Sequence, residues 1–459
     1  MMPVPENAAK TSSLVLPLPA SPVSIPIELP ISPFSTINNK LFPPQQVACH
    51  KEQSSQDRPN YEVADIFNLY GEEYRKNHIL TPEQGKAMYA IEHCRTNVYG
   101  YHADICDECG HIERAYNSCR NRHCPKCQGI AKRKWVNNRL NELLPISYHH
   151  ATFTLPEQLS HLSLYNQELI YDLLFEASSK TLLTFGEDPT WLGAKIGFYG
   201  ILHTWSQTLW PHVHIHYIVP VGGLTETGEW IEPKYKGKFL FPVRALSKVF
   251  RGKFIEGLKK AYYDGELAIP HDKQELKKPH KFEQWLDRLV SRNWVVNSKP
   301  PFSGPEEVVR YIGRYTHRVA ISNSRILSIE NGHIRFSYKD NKEKDKSKMW
   351  KEMVLPADQF IERFLSHVLP HRYHRIRHFS FLSNGSKNES VEKIRELLSS
   401  DEKDTNKSEE ALTEDHEGIT CPKCEKGKLK PFLVVNPYGK IIKFDTSAFI
   451  REKEVIDTS

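Results

Sequence analysis

Three histidines alternate with apolar residues in His212-Val-His214-Ile-His216. On a β-strand, residues two apart share a face, so the three imidazoles stand together while Val213, Ile215 and Tyr217 enter the core. At about 3.3 Å rise per residue, neighbouring histidines lie about 6.6 Å apart and can grip one ion, whereas the outer two, about 13 Å apart, cannot easily do so. One adjacent pair is therefore the expected metal site, because three histidines on one face are hard to explain as packing. Two protein ligands leave coordination positions open, which suits a catalytic ion. A third ligand is drawn from His203, Gln207 and the unused histidine of the strand, with none favoured.

Tyr311-Ile-Gly-Arg-Tyr315 sets two phenols four residues apart, hence on one face of a helix, with Arg314 and Arg318 close to that face. A phenol with a pKa of about 10 is a weak nucleophile near neutral pH. A metal polarising a scissile phosphate, with arginines stabilising the developing charge, would compensate. Attack would conserve the phosphodiester energy in a covalent phosphotyrosine and release a 3′ hydroxyl. Aromatics at helical spacing are more often core, so the pair takes its weight from the histidine strand.

Six of the nine cysteines fall between Cys94 and Cys127, and two more form Cys421-x2-Cys424. Clustering in CxxC pairs fits thiolate metal ligands better than disulfides and implies a reducing compartment. Cys106-x2-Cys109 and Cys124-x2-Cys127 are expected to turn four sulfurs toward one structural zinc ion, supplying folding energy that a small segment lacks. Cys94, Cys119 and His123, with His93, His102 or His111, are close enough to form a second site or replace a member of the first. Cys421 and Cys424 read as half a zinc ribbon whose partners lie in another subunit or in a distant residue such as His416, or as a pair without metal. From Arg120 to Arg139 the chain carries seven basic and no acidic residues, a surface suited to phosphates.

These residues need elements to hold them. Helices are expected around Ile66–Tyr74 and from the Thr81-Pro82-Glu83 start signal, then a basic helix over Ala131–Leu144. Strands are expected at His150–Leu155, Ile196–Leu202 and His212–Val221, with a long helix over Leu159–Leu183. Further helices follow at Val243–Tyr263, His280–Val290 and Pro305–His317, a hairpin turns at Asn331-Gly332, and a strand covers Met349–Val354. Strands and long helices without a glycine-rich phosphate loop indicate an α+β fold around a largely antiparallel sheet. At 459 residues the chain divides into several segments. These are a Pro/Ser-rich tail (1–58), a zinc-binding DNA-recognition domain (59–145), a catalytic domain (146–385), a charged linker (386–418) and a CxxC segment (419–459). No run of 18 apolar residues spans a membrane.

Three stretches, CDECGHIERAYNSCRNRHCPKCQ (106–128), LHTWSQTLWPHVHIHYIVPVGG (202–223) and YIGRYTHRVAISN (311–323), with a weaker HRIRHFSFLSN (374–384), resemble the rolling-circle HUH transposases of the insertion sequence 91 type. The resemblance covers Ile66 to Asn384. It implies that His214 and His216, flanking Ile215, are the HUH pair and bind Mg²⁺ or Mn²⁺, and that Tyr311 and Tyr315 are the nucleophiles of a two-tyrosine enzyme. The family's His-Pro-His-x-His is His212-Val-His214-Ile-His216 here, with the proline displaced to Pro211. The implied substrate is single-stranded DNA at transposon ends, in a prokaryotic cytoplasm. A replication initiator or relaxase would use the same site on other DNA, and a non-enzymatic zinc-dependent nucleic-acid binder would bind without nicking.

Overall fold

The alternation around the histidines becomes a strand with a neighbour on each side. The computed structural model describes residues 59–127, 143–233, 240–299, 319–383, 385, 387–399 and 419–445, all within one compact unit, Pro59–Ser459. The basic helix expected over Ala131–Leu144 falls almost wholly outside the described residues, and the helix expected over Pro305–His317 does so entirely.

The N-terminal module begins with α1 (Val63–Asn77) and α2 (Pro82–Glu92). Thr81 caps α2 by accepting from the Gln84 N–H, and the Gln84 side chain accepts from the Thr81 N–H in return, so both exposed donors are satisfied. The hairpin of β1 (Tyr101–Cys106) and β2 (Ile112–Tyr116) follows.

The central layer contains β3 (Tyr148–Thr154), α3 (Ser160–Tyr165), α4 (Gln167–Glu187), β4 (Phe198–Trp205), β5 (Pro211–Pro220), the short β6 (Gly223–Leu224) and β7 (Trp230–Ile231), α5 (Val243–Tyr263), α6 (Pro279–Val290) and β8 (Val296–Lys299). The single helix expected over Leu159–Leu183 is divided at Asn166. Its side chain donates to the carbonyls of Leu162 and Ala268 and accepts from the Ala268 N–H, fastening the break to the loop after α5.

Next come β9 (Ile326–Glu330), β10 (His333–Lys339), β11 (Trp350–Pro356), α7 (Ala357–Leu365), β12 (Ile376–Phe379) and α8 (Lys387–Ser399). Asn331 and Gly332 join β9 to β10 with φ of 50° and 74°, the paired left-handed conformation of a tight hairpin turn. The chain then returns to its N-terminal module. Strand β13 (Leu429–Val435) pairs antiparallel with β1, and β14 (Ile441–Phe444) pairs with β13.

The fold is α+β, and every strand pairing among the described residues is antiparallel. The central sheet has the order β12-β4-β5-β3-β8. Its two faces have different fates. Ala151, Phe153, Phe198, Leu202, Val213, Ile215, Tyr217 and Val219 share one buried cluster with Leu174 and Phe175 of α4, Phe250 and Phe254 of α5, and Phe282 of α6. Each such side chain contributes roughly 2 kcal/mol on burial, which fixes the register, since a one-residue slip would turn the histidines inward. On the opposite face, Tyr148, Tyr199, Ile201 and Ile218 are covered by Phe381, Leu382 and the α8 residues Val391 and Ile394. The rest of that face belongs to the histidines. No helix among the described residues is long and apolar enough to cross a membrane.

Candidate metal centres

The histidine site is assembled by two strands. His203 on β4 lies directly across from His214 on β5, and Ile201 lies across from His216. Because paired residues share a face, His203, His214 and His216 converge, with their ring nitrogens within 4.8 Å of one another. His203 is buried and stacks on Trp205, with ring centroids 5.2 Å apart. His212, by contrast, is exposed; its backbone carbonyl accepts a 2.7 Å hydrogen bond from His214 Nδ1. A carbonyl can only accept, so neutral His214 carries its proton on Nδ1 and a lone pair on Nε2. That Nε2 lies 3.1 Å from His216 Nε2. Two ligands side by side on an octahedral ion with bonds of about 2.1 Å are about 3 Å apart, so this pair fits a divalent cation.

Strand β3 adds groups that sequence spacing alone did not single out. His150 Nε2 is 2.8 Å from His216 Nδ1, and Thr152 Oγ1 is 3.3 Å from the same nitrogen. A metal-binding His216 must keep Nε2 free, so it donates Nδ1–H to His150, the outer-shell partner typical of a ligating imidazole. Burial pushes the His150 ring down to about 4 and holds His216 well below its ordinary value, so both stay neutral and able to accept or ligate. The alternation His150, Thr152, Thr154 was the available signal, a polar face on a strand already expected from its apolar residues. Lys299 of β8, paired with His150, brings positive charge to the same end of the sheet.

The turn between the two histidine strands is held from outside. Consecutive carbonyls of Gln207, Thr208 and Leu209 accept from Arg325, from Arg363 at 3.3 Å, and from His367 Nε2 at 2.9 Å. Gln207, one of the expected third ligands, therefore sits in the turn, while His203 is the residue brought to His214 and His216. Tyr311, Arg314, Tyr315 and Arg318 lie outside the described residues.

The cysteines correct the expected grouping. Cys106, Cys109, Cys124 and Cys127 do not meet; they divide between two clusters, Cys94-Cys119-Cys124-Cys127 and Cys106-Cys109-Cys421-Cys424, each with sulfurs within 4.8 Å. The reason is the β1–β2 hairpin. Cys94 and Cys119 flank its open end, where Tyr101 faces Tyr116, whereas Cys106 ends β1 beside the turn. Six extended residues separate the two ends by about 17 Å, too far for one ion. Read as a loop, the 14 residues between the CxxC pairs could close; as a hairpin they cannot. The pair at Cys421 and Cys424 finds its partners in this chain.

In the first cluster, Cys127 Sγ is 3.3 Å from Cys94 Sγ and 3.5 Å from Cys119 Sγ. Zinc–sulfur bonds of about 2.3 Å put tetrahedral sulfurs about 3.8 Å apart, so the cluster needs little adjustment to close on zinc. Hydrogen bonds, first from Cys119, hold the Cys127 thiol far below its ordinary value, while the same neighbours push Cys124 up. His123 joins neither cluster. It is half-buried, and desolvation, together with the charges of Arg375 and Arg122, pushes its ring down to about 3. His93, His102 and His111 also stay apart, bonded to the Tyr89 carbonyl, Asn117 and Glu113. Of the basic block, Arg122 donates to the Tyr373 carbonyl at 2.7 Å and Lys126 pairs with Glu62, so both serve packing within the chain.

An antiparallel sheet gathering three histidines beside its apolar core, behind a cysteine-built module, defines an α+β protein with three clusters of metal-ligating side chains. Comparison with known proteins says which. Residues 197–390 match the family model described as "Putative transposase", and residues 66–155 match the "Transposase zinc-binding domain". A relative in Sinorhizobium fredii, "Putative transposase y4qJ", is 44% identical over 382 residues, covering 81% of this chain and 95% of its own. The transposase for insertion sequence element IS801 of Pseudomonas savastanoi pv. phaseolicola is 27% identical over 312 residues, covering 66% of this chain and 72% of its own. No solved structure matches. The chain belongs to the insertion sequence 91 family of transposases, DNA-processing enzymes with an N-terminal domain that binds structural zinc.

Proposed function

We propose that the chain nicks and joins single-stranded DNA at transposon ends through a 5′-phosphotyrosine intermediate, in rolling-circle fashion. The observation that carries the reading is the convergence of His203, His214 and His216 on one sheet face. Those three hold one Mg²⁺ or Mn²⁺, whose chemistry when bound is to polarise the scissile phosphate. Tyr311 or Tyr315 attacks phosphorus as its phenol proton passes to solvent, a new O–P bond forms, and the P–O3′ bond breaks as the leaving oxygen takes a proton from solvent and becomes a 3′ hydroxyl. Arg314 and Arg318 stabilise the charge on the phosphoryl oxygens. The second tyrosine permits transfer to a target strand. Cys94, Cys119, Cys124 and Cys127 hold the structural zinc of the module that recognises the element's end.

The test is incubation of the full chain with labelled single-stranded DNA from the flanks of its gene, with and without Mn²⁺. A denaturation-resistant protein–DNA adduct is expected only with the ion and only while a tyrosine remains. Tyr311→Phe with Tyr315→Phe abolishes it; an adduct persisting in that double variant rules out these nucleophiles.

A further inference from the structure

The second cysteine cluster joins parts of the chain 312 residues apart, as measured from Cys109 to Cys421. The family match to a zinc-binding domain stops at residue 155, so it does not reach Cys421 or Cys424. Cys106 Sγ lies 3.7 Å from Cys424 Sγ, and Cys109 Sγ lies 3.7 Å from Cys421 Sγ. Both distances match the edge of about 3.8 Å expected for four sulfurs around zinc.

The two CxxC turns are copies of one another in backbone terms. Four residues after Cys106, Gly110 has φ +68° and its N–H donates to the Cys106 carbonyl at 3.1 Å. Four residues after Cys421, Glu425 has φ +55° and donates to the Cys421 carbonyl at 2.9 Å. A left-handed glutamate is uncommon and persists where its surroundings demand it. Backbone N–H groups also reach sulfur, from Cys109 to Cys106 Sγ at 3.5 Å and from Gly427 to Cys424 Sγ at 3.4 Å, bonds that favour thiolates. A Cβ on Gly427 would run into the Cys106 sulfur, so a glycine is required where the two turns face.

The surrounding core is too small to explain this geometry. Among the described residues, the local buried cluster holds only Leu429 besides the cysteines. Cys106 and Cys421 are nevertheless buried, and both remain free thiols. The cluster sits at the end of the β1–β13 pairing, where Cys106 faces Leu429, the Asp107 N–H donates to the Lys428 carbonyl, and the Lys428 N–H donates to the Asp107 carboxylate. Metal ligation is the term that can supply folding energy here.

We propose that Cys106, Cys109, Cys421 and Cys424 bind a second structural zinc ion that clasps residues 419–445 onto β1, making the docking of this segment metal-dependent. The proposal stands on sulfur and backbone geometry and does not depend on the cleavage chemistry above. The full chain is purified under reducing conditions and its zinc content is measured beside that of the Cys421→Ala/Cys424→Ala variant. The variant is expected to hold one zinc equivalent fewer and to show about tenfold faster hydrogen exchange in β1 and β13, with β4 and β5 unchanged. Should that variant fail to fold, Cys421→His decides, because histidine can still ligate. It is expected to keep the ion and alter the sulfur-to-metal absorption of the cobalt-substituted protein. Equal zinc content in the double variant, loss of zinc without faster exchange in β13, or a Cys421→His cobalt spectrum identical to the unaltered chain's would overturn the clasp.

Discussion

The contact between His150 and His216 ties a residue without a metal bond to the behaviour of one proposed to have it. His216 can present Nε2 only while Nδ1–H has an acceptor, and His150 Nε2 at 2.8 Å supplies it. Removing an outer-shell partner of this kind costs roughly 10- to 100-fold in metal affinity. His150→Ala is therefore expected to raise the Mn²⁺ concentration for half-maximal adduct formation by about that factor, while adduct yield at saturating Mn²⁺ approaches normal. A variant with lowered yield at every Mn²⁺ concentration and an unmoved midpoint would show that His150 does not act through the ion. His214→Ala should not be rescued by added metal, since it removes a ligand outright.

The β4–β5 hairpin draws rigidity from residues outside the histidine cluster. His367 is fully buried against its tip, where Thr204 Oγ1 lies 3.2 Å from Nδ1 and the Leu209 carbonyl accepts from Nε2. Burial pushes the His367 ring from 6.5 down to about 4, opposed in part by the Leu209 bond. Between those values the unfolded chain binds the proton and the folded chain does not. Stability from this group is thus full above about pH 6.5 and declines as pH falls toward 4, by up to about 3 kcal/mol. Denaturant midpoints at pH 7 and pH 5 should differ more in the natural chain than in His367→Gln. Acid release of zinc acts on both chains, so equal pH sensitivity would count against His367.

At the scale of the whole molecule, zinc and the histidine site share one support. Cys94, Cys124 and Cys127 belong to the same buried cluster as Leu209 at the hairpin tip, Ile321, and Phe360 and Phe364 of α7. Structural zinc ligation is worth on the order of 10 kcal/mol, so its loss should loosen the tip as well as the module. A zinc-selective chelator is expected to lower the melting temperature by about 10 °C or more and to abolish adduct formation, with activity restored by Zn²⁺ followed by Mn²⁺. Full recovery on Mn²⁺ alone would mean that the module and the histidine site are energetically separate.

What local sequence could determine, it did. Alternation set the histidines on one face of β5, because side-chain period in a strand is a property of the backbone. The Thr81-Pro82 cap, the Asn331-Gly332 turn and the extents of α5 and α6 were legible for the same reason, since each depends on residues a few positions apart. Partners across long separations were not. Only the sheet register chose His203 to face His214 and placed His150 behind His216, because hydrogen bonding between strands decides which residues become neighbours. The cysteines show the same limit: their spacing pointed to clustered thiols but grouped them wrongly, since the β1–β2 hairpin parts Cys106 and Cys109 from Cys124 and Cys127. A turn more than 300 residues later, held beside β1 by the β13 pairing, completes the second set, a closure that only the folded chain can specify.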